Sequence, residues 1–129
     1  MKDTDKKFSC VVIEEDGRAY ESWWKGKPKN SEYPFQVHFS DKSGGIEDLT
    51  FLVQPGDEEN KVIQHLVRRL SARRGVEIPP FGSYIKPVCG SVVLVGRDKK
   101  GYRSISRRLL DFILSLLAED KNCEVECLS

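Results

Sequence analysis

The chain has 129 residues, 39% of them hydrophobic and 32% charged, a length that buries about two thirds of the unfolded surface. That mix is too apolar for a disordered polypeptide and fits one domain over residues 1–129, with the polar start, residues 1–7, expected as a disordered tail. No signal-peptide pattern opens the chain, and the apolar-rich stretch Leu109 to Ala118 is broken by Asp111 and Ser115, so a soluble cytoplasmic protein without membrane contact is expected.

The first half reads as an antiparallel meander. Phe8 to Glu15 and Arg18 to Lys25 flank Asp16-Gly17, a pair that favours positive φ and joins hairpin strands with the correct twist. Phe35, Val37 and Phe39 alternate with Gln36, His38 and Ser40, which predicts a third strand with one apolar face. Asp41 to Gly45 turns the chain into a fourth strand, Ile46 to Gln54, carrying Leu49, Phe51 and Val53 on one side.

Pro55-Gly56 is expected to end that strand, and Asp57-Glu58-Glu59 to supply the acidic first turn of a helix running to about Arg74. Val62, Ile63, Leu66, Val67 and Leu70 recur at helical spacing, while Lys61, His65, Arg68 and Arg69 fall on the opposite side, and Gly75 suits a C-cap. Ile78-Pro79-Pro80-Phe81-Gly82 is a connector. Ser91 to Gly96 is apolar on both faces, the mark of an interior strand, and a hairpin through Cys89-Gly90 would pair it with Tyr84 to Val88. After a turn at Asp98 to Gly101, Ser104 is placed to cap a second, largely buried helix through about Glu119, and the tail from Cys123 to Leu128 suits an edge strand. The expected fold is α+β, an antiparallel meander-type sheet of four to six strands packed with two helices.

With four cysteines, no export signal and enough chain for a core, reduced thiols are expected. Cys123 and Cys127 are the one close pair of metal-ligand type, His38 and His65 lie far away in sequence, and no metal or cofactor is predicted. No Gly-rich phosphate loop, zinc-protease helix or nucleophile elbow is present, so a non-enzymatic role is expected.

The net charge of +1 conceals a division: residues 1–60 hold 8 Lys+Arg against 13 Asp+Glu, and residues 61–129 hold 13 against 7. Between Lys61 and Arg108 the count is 12 basic to 2 acidic. Arg97, Lys99, Lys100, Arg103, Arg107 and Arg108 gather before and within the first turn of the second helix, where cations oppose the dipole and a bound phosphate would offset them. The Ser104 and Ser106 hydroxyls add to that chemistry. The alternative is an Arg107–Asp111 pair among solvated charges. Arg68, Arg69 and Arg73 of the first helix would extend the surface if the two helices lie side by side.

Tyr20, Trp23 and Trp24 lie on the second strand, where neighbouring residues face opposite ways and one indole is exposed unless both faces are covered, so a stacking or partner-docking role stands beside plain packing. Arg73 to Phe81, a strand, and Lys99 to Leu109 together are loosely similar to the second half of a double-stranded-RNA-binding domain over roughly the last 70 residues. That family's three well-formed strands and small-residue-rich last helix are not matched. The resemblance implies phosphate contact for Lys99, Lys100, Arg107 and Arg108.

The sequence therefore predicts a non-enzymatic binding domain that takes nucleic acid, RNA or a single strand, or another polyanion, independently of sequence, through its C-terminal basic surface. A protein-interaction module docking through an exposed Trp or the acidic N-terminal sheet is the alternative. The segregated charge also suits a homodimer.

Overall fold

The structure, a computed structural model, describes residues 7–25, 32–40, 46–72, 76–77, 89–99 and 101–126. It is mixed α+β. The strands are β1 (Lys7–Ile13), β2 (Arg18–Lys25), β3 (Glu32–Ser40), β4 (Ile46–Glu59), β5 (Val76–Glu77), β6 (Cys89–Asp98), β7 (Gly101–Arg103) and β8 (Glu124–Glu126), and the helices are α1 (Lys61–Ser71) and α2 (Arg107–Ala118). They form one eight-stranded open sheet in the order β5-β3-β4-β6-β1-β2-β8, with β7 also paired to β6. All pairs are antiparallel except β2 with β8.

The four-to-six-strand meander is thus corrected in number and in order. β1 does not neighbour β4, because β6 from the second half of the chain inserts between them, pairing Val92 to Val95 with Val53 to Thr50 on one side and Ile13 to Cys10 on the other. The physical reason is the run Val92-Val93-Leu94-Val95, fully buried and apolar on both faces, which is stable only as an interior strand. Cys89 and Gly90 open β6 rather than turning the chain, and the partner expected at residues 84–88 lies outside the described residues.

The β1–β2 hairpin forms around Asp16-Gly17 as expected. Gly17 takes φ 98°, and a Cβ there would stand 2.4 Å from the Asn122 carbonyl oxygen, so the turn requires glycine for conformation and for space. Its own carbonyl accepts the Glu124 amide at 2.9 Å, which docks β8 along β2 as a short acidic edge. Lys7 already belongs to β1, which trims the expected tail.

The acidic run Asp57 to Glu59 belongs to β4, not to a helix. The chain passes Pro55-Gly56 through a shift of register against β6 and stays paired to Glu59. The helix cap is instead Asn60, fully buried, whose carbonyl oxygen accepts the Ile63 amide while its amide donates to Ile13 O (3.1 Å) and Gly90 O (2.9 Å). One side chain thereby ties α1 to β1 and β6. α1 ends at Ser71, short of Arg74, with Ala72 as its C-cap, while Arg73 and Gly75 lie outside the described residues. α2 starts two residues later than expected, at Arg107 after a Ser106 cap.

Both helices pack on one face of the sheet, where Val62, Ile63, Leu66, Leu70, Leu109, Leu110, Ile113, Leu116 and Leu117 meet Val11, Ile13, Leu49, Phe51, Val92 and Leu94. Cys10, Leu52, Val93 and Val95 form a second buried cluster on the opposite face, with Phe8, Val12 and Tyr102 against it. Among the described residues no helix is long and apolar enough to cross a membrane.

Candidate functional site

The N-terminus of α2 was the sharpest candidate in the sequence, and its anion is supplied from within the chain. Alternation along β4 puts Glu47 on the helix-bearing side, where its carboxylate accepts the Ser106 amide at 2.8 Å and the Ser106 hydroxyl at 2.5 Å. The same hydroxyl oxygen caps the helix by accepting the Leu109 amide at 3.2 Å. Ser104 is also engaged, accepting the Ser9 amide at 2.9 Å as the chain crosses from β7 to the start of β1. Arg107, 70% exposed, reaches Glu21 on β2 at 3.0 Å and Asp111 one helical turn on at 3.4 Å. A carboxylate at the positive end of the dipole and two more beside the guanidinium offset the charges for which an external phosphate was invoked.

Arg69 of α1 does not join this end. Arg69 donates to the Leu116 carbonyl at 3.0 Å and lies 3.5 Å from Glu119, so it closes the C-terminal end of α2. Leu116 is nine residues beyond Arg107, about 13 Å along the helix axis. Arg68 is exposed on the same last turn of α1, and Arg73 lies outside the described residues. His65 completes the helix contact, with Nδ1 2.9 Å from Asp120, a buried carboxylate. Burial, the largest single influence, pushes the Asp120 carboxyl up, yet the Asn122 amide, His65 and Arg69 together hold it below its ordinary value.

Arg108 lies exposed in the first turn of α2, and the β6–β7 end carries Arg97, Lys99 and Arg103. Lys99 and Arg103 are exposed, and Lys100 lies outside the described residues. The Arg97 guanidinium sits over the Tyr102 ring, 5.5 Å from its centroid. Strand register lines up His38 of β3, Asp48 of β4, Arg97 of β6 and Tyr102 of β7 as consecutive cross-strand partners. They lie on the face away from the helices, since Tyr102 packs against the second cluster. His38 Nδ1 is 2.5 Å from Asp48 Oδ1, and both side chains are about two-fifths exposed, at 38% and 40%. One step inward on the same face of β4, Thr50 is fully buried and its hydroxyl has no hydrogen-bond partner, a deficit of about 1–3 kcal/mol.

Of the three aromatic residues singled out on β2, Trp23 is 61% exposed. It pairs across the hairpin with Ser9 and shares its face with Glu21, the Arg107 partner, while Lys7 stands diagonally across on β1. Tyr20 lies on the opposite face, its hydroxyl donating to Glu14 at 3.2 Å. The Trp24 side chain is outside the described residues.

The Cys10 and Cys123 thiols are poor nucleophiles. Burial, with Glu21 nearby, pushes Cys10 up to about 12, and burial with Asp120 nearby pushes Cys123 up to about 11. Among the described residues no cluster of three or more His, Cys, Asp or Glu side chains suits a metal.

Sequence reasoning found Trp23, Arg97 and Arg107 but missed Glu47, Asn60 and the His38–Asp48–Arg97–Tyr102 alignment. Alternation along each strand gives the face of Glu47, His38, Asp48, Arg97 and Tyr102, and only register shows which of them meet. No family model, curated protein or solved structure matches this chain.

Proposed function

We propose that this domain is a protein-interaction module that docks a partner through Trp23. The observation that carries the reading is the 61% exposure of that indole, the one exposed large hydrophobic side chain among the described residues. An exposed Trp is a typical interface anchor, and Trp23 shares its strand face with Glu21, the partner of Arg107. The surrounding charge is mixed, with Arg107 held by Glu21 and Asp111 and with Lys7 exposed on the other side of the ring. Such a surface favours a segment with an apolar contact flanked by carboxylates over the uniform charge of a phosphate backbone.

Nucleic-acid or polyanion binding is the second reading, supported by exposed Arg97, Lys99 and Arg103 at one end of the molecule. It loses weight because Glu47 fills the α2 terminus and because Arg69 faces the far end of that helix.

Affinity capture with wild-type, Trp23→Phe and Trp23→Ala baits tests the first reading. A partner held by the wild type and by Trp23→Phe but lost from Trp23→Ala is expected. Retention on short RNA or DNA with a steep salt slope, reduced by Arg107→Ala/Arg108→Ala and untouched by Trp23→Ala, would transfer the assignment to the second.

A further inference from the structure

Where α1 meets the end of α2, an accessible imidazole is oriented by a buried carboxylate, and we propose that His65 is a phosphoryl-acceptor site whose Nε2 takes the group from a donor of the phosphoramidate class. The site shares no residue with the Trp23 surface. The His65 side chain is 38% exposed, with Nδ1 2.9 Å from Oδ2 of Asp120. Asp120 is buried, and its Oδ1 accepts the Asn122 amide at 2.9 Å, so both carboxylate oxygens are engaged and the group is fixed in one orientation. Its carboxyl is held below the ordinary value, hence ionised at neutral pH, and a carboxylate only accepts. In the neutral ring the proton therefore sits on Nδ1, which leaves the lone pair on Nε2. Among the described residues no hydrogen-bond partner takes that second nitrogen.

The charge around the ring suits an anionic reactant. Lys61 stands one turn before His65 on α1, and Arg68 and Arg69 one turn after it, on the same helix face. Lys61 and Arg68 are exposed, while Arg69 holds the Leu116 carbonyl with Glu119 3.5 Å away. Cys123, whose amide donates to the Asp120 carbonyl at 3.0 Å, is pushed up to about 11 by burial and by Asp120, so its thiol does not compete as the nucleophile of this corner.

The step balances without a further reactant. The Nε2 lone pair forms the new N–P bond as the donor's P–N bond breaks, and the electrons of that bond leave on an amine that is already protonated in the donor. The ring becomes an imidazolium, with phosphoryl on Nε2 and the proton still on Nδ1. That positive charge faces the Asp120 carboxylate, the same support a buried carboxylate gives a catalytic imidazole when it acquires charge. His38 lacks this setting. Its partner Asp48 is 40% exposed, and Glu77 is its cross-strand neighbour on β5, so a second carboxylate stands where His65 has cations.

The test is treatment of the full chain with phosphoramidate at neutral pH, read by intact mass and by peptide mapping under alkaline conditions that preserve the N–P bond. One phosphoryl group on His65 is expected, gained about tenfold faster than by His38 or by a histidine peptide, and lost on acidification. Asp120→Asn should lower the His65 rate about tenfold, with native circular dichroism retained and the His38 rate unchanged. Lys61→Gln, a change at an exposed position, should slow His65 by about threefold. Wild type in urea should bring both histidines to the peptide rate. Phosphorylation of His65 no faster than of His38, an Asp120→Asn protein that reacts at the wild-type rate, or an advantage that persists in urea would each overturn the assignment, and each would leave the Trp23 reading untouched.

Discussion

Glu47 and Ser106 are 59 residues apart in sequence, and the carboxylate of the first takes both the amide and the hydroxyl proton of the second. The contact joins β4 to the start of α2 and places a negative charge on the helix axis where the dipole is positive. It also explains how two arginines are tolerated in the first turn of that helix.

Removing Glu47 should therefore cost stability without exposing any apolar core. Glu47→Ala is expected to lose about 1–3 kcal/mol, the range for a charge-assisted pair of bonds to a part-buried group, and Ser106→Ala about 1 kcal/mol for the cap. The double variant should lose less than the sum, since both changes break the same contact. Urea unfolding of the four proteins measures the cycle, and full additivity would show that the two side chains act separately.

Asn60 presents a harder case, because its three hydrogen bonds are all buried. Asn60→Asp keeps the cap oxygen but sets a carboxylate against the Ile13 and Gly90 carbonyls, which have lost their donor. A loss of about 3 kcal/mol or more at neutral pH is expected, easing as the pH falls and the new carboxyl takes up a proton. Asn60→Ala should be less pH-dependent. Thermal melts at pH 4 and pH 7 separate the two.

Asn60 also shows where the sequence was legible and where it was not. The apolar stripe of α1 was plain from Val62, Ile63, Leu66 and Leu70, and all four are buried. Its start was misplaced because Pro55-Gly56 reads as a terminator and three acids read as a first turn, signals that local propensity gives equally to a strand crossing a bulge. The interior character of β6 followed from its unbroken apolar run, but its place between β4 and β1 is a long-range pairing with no local mark. The same limit applies to the candidate sites. Trp23 was visible as one of two neighbouring indoles on opposite faces, whereas the Glu47–Ser106 contact and the His38 to Tyr102 alignment depend on register between distant strands. Arg69 lies away from Arg107 for a related reason: helical periodicity gives the face of Arg69, not the end of α2 against which that face is laid.

The Trp23 reading makes a stability prediction as well as a binding one. A side chain 61% exposed contributes little to the core, so Trp23→Ala should shift the unfolding free energy by no more than about 0.5 kcal/mol. A larger loss, read from urea unfolding, would mean that the indole packs in solution and would remove the basis for a docking role.

Cys10 and Cys123 should be slow to alkylate in the folded chain. With Cys10 near 12 and Cys123 near 11 against an ordinary 9.0, the thiolate at pH 8 is depleted roughly a thousandfold and a hundredfold. Peptide mapping after iodoacetamide treatment should show both labelled at the peptide-like rate only once the protein is unfolded. Rapid native labelling of Cys10 would contradict the packing around β1.

Asp120 supplies a pH signature for the helix contact. Its buried carboxylate accepts the Asn122 amide at 2.9 Å and stands 2.9 Å from His65, and its folded value lies below the ordinary 3.8. A group depressed on folding stabilises the native state fully above its unfolded value, and that stabilisation disappears as the pH falls through the folded value. The wild type should therefore exceed Asp120→Asn in stability at pH 6, by about 2 kcal/mol for charge-assisted bonds to a buried carboxylate, and the difference should shrink once the pH drops below about 3.8. His65→Ala should lower the pH 6 stability in the same direction by a smaller amount, because the Asn122 bond persists. Guanidinium unfolding of the three proteins from pH 2.5 to pH 6 reads the result, and a wild-type to Asp120→Asn gap that stays constant across that range would mean that the carboxylate's charge plays no part in holding α1 to the end of α2.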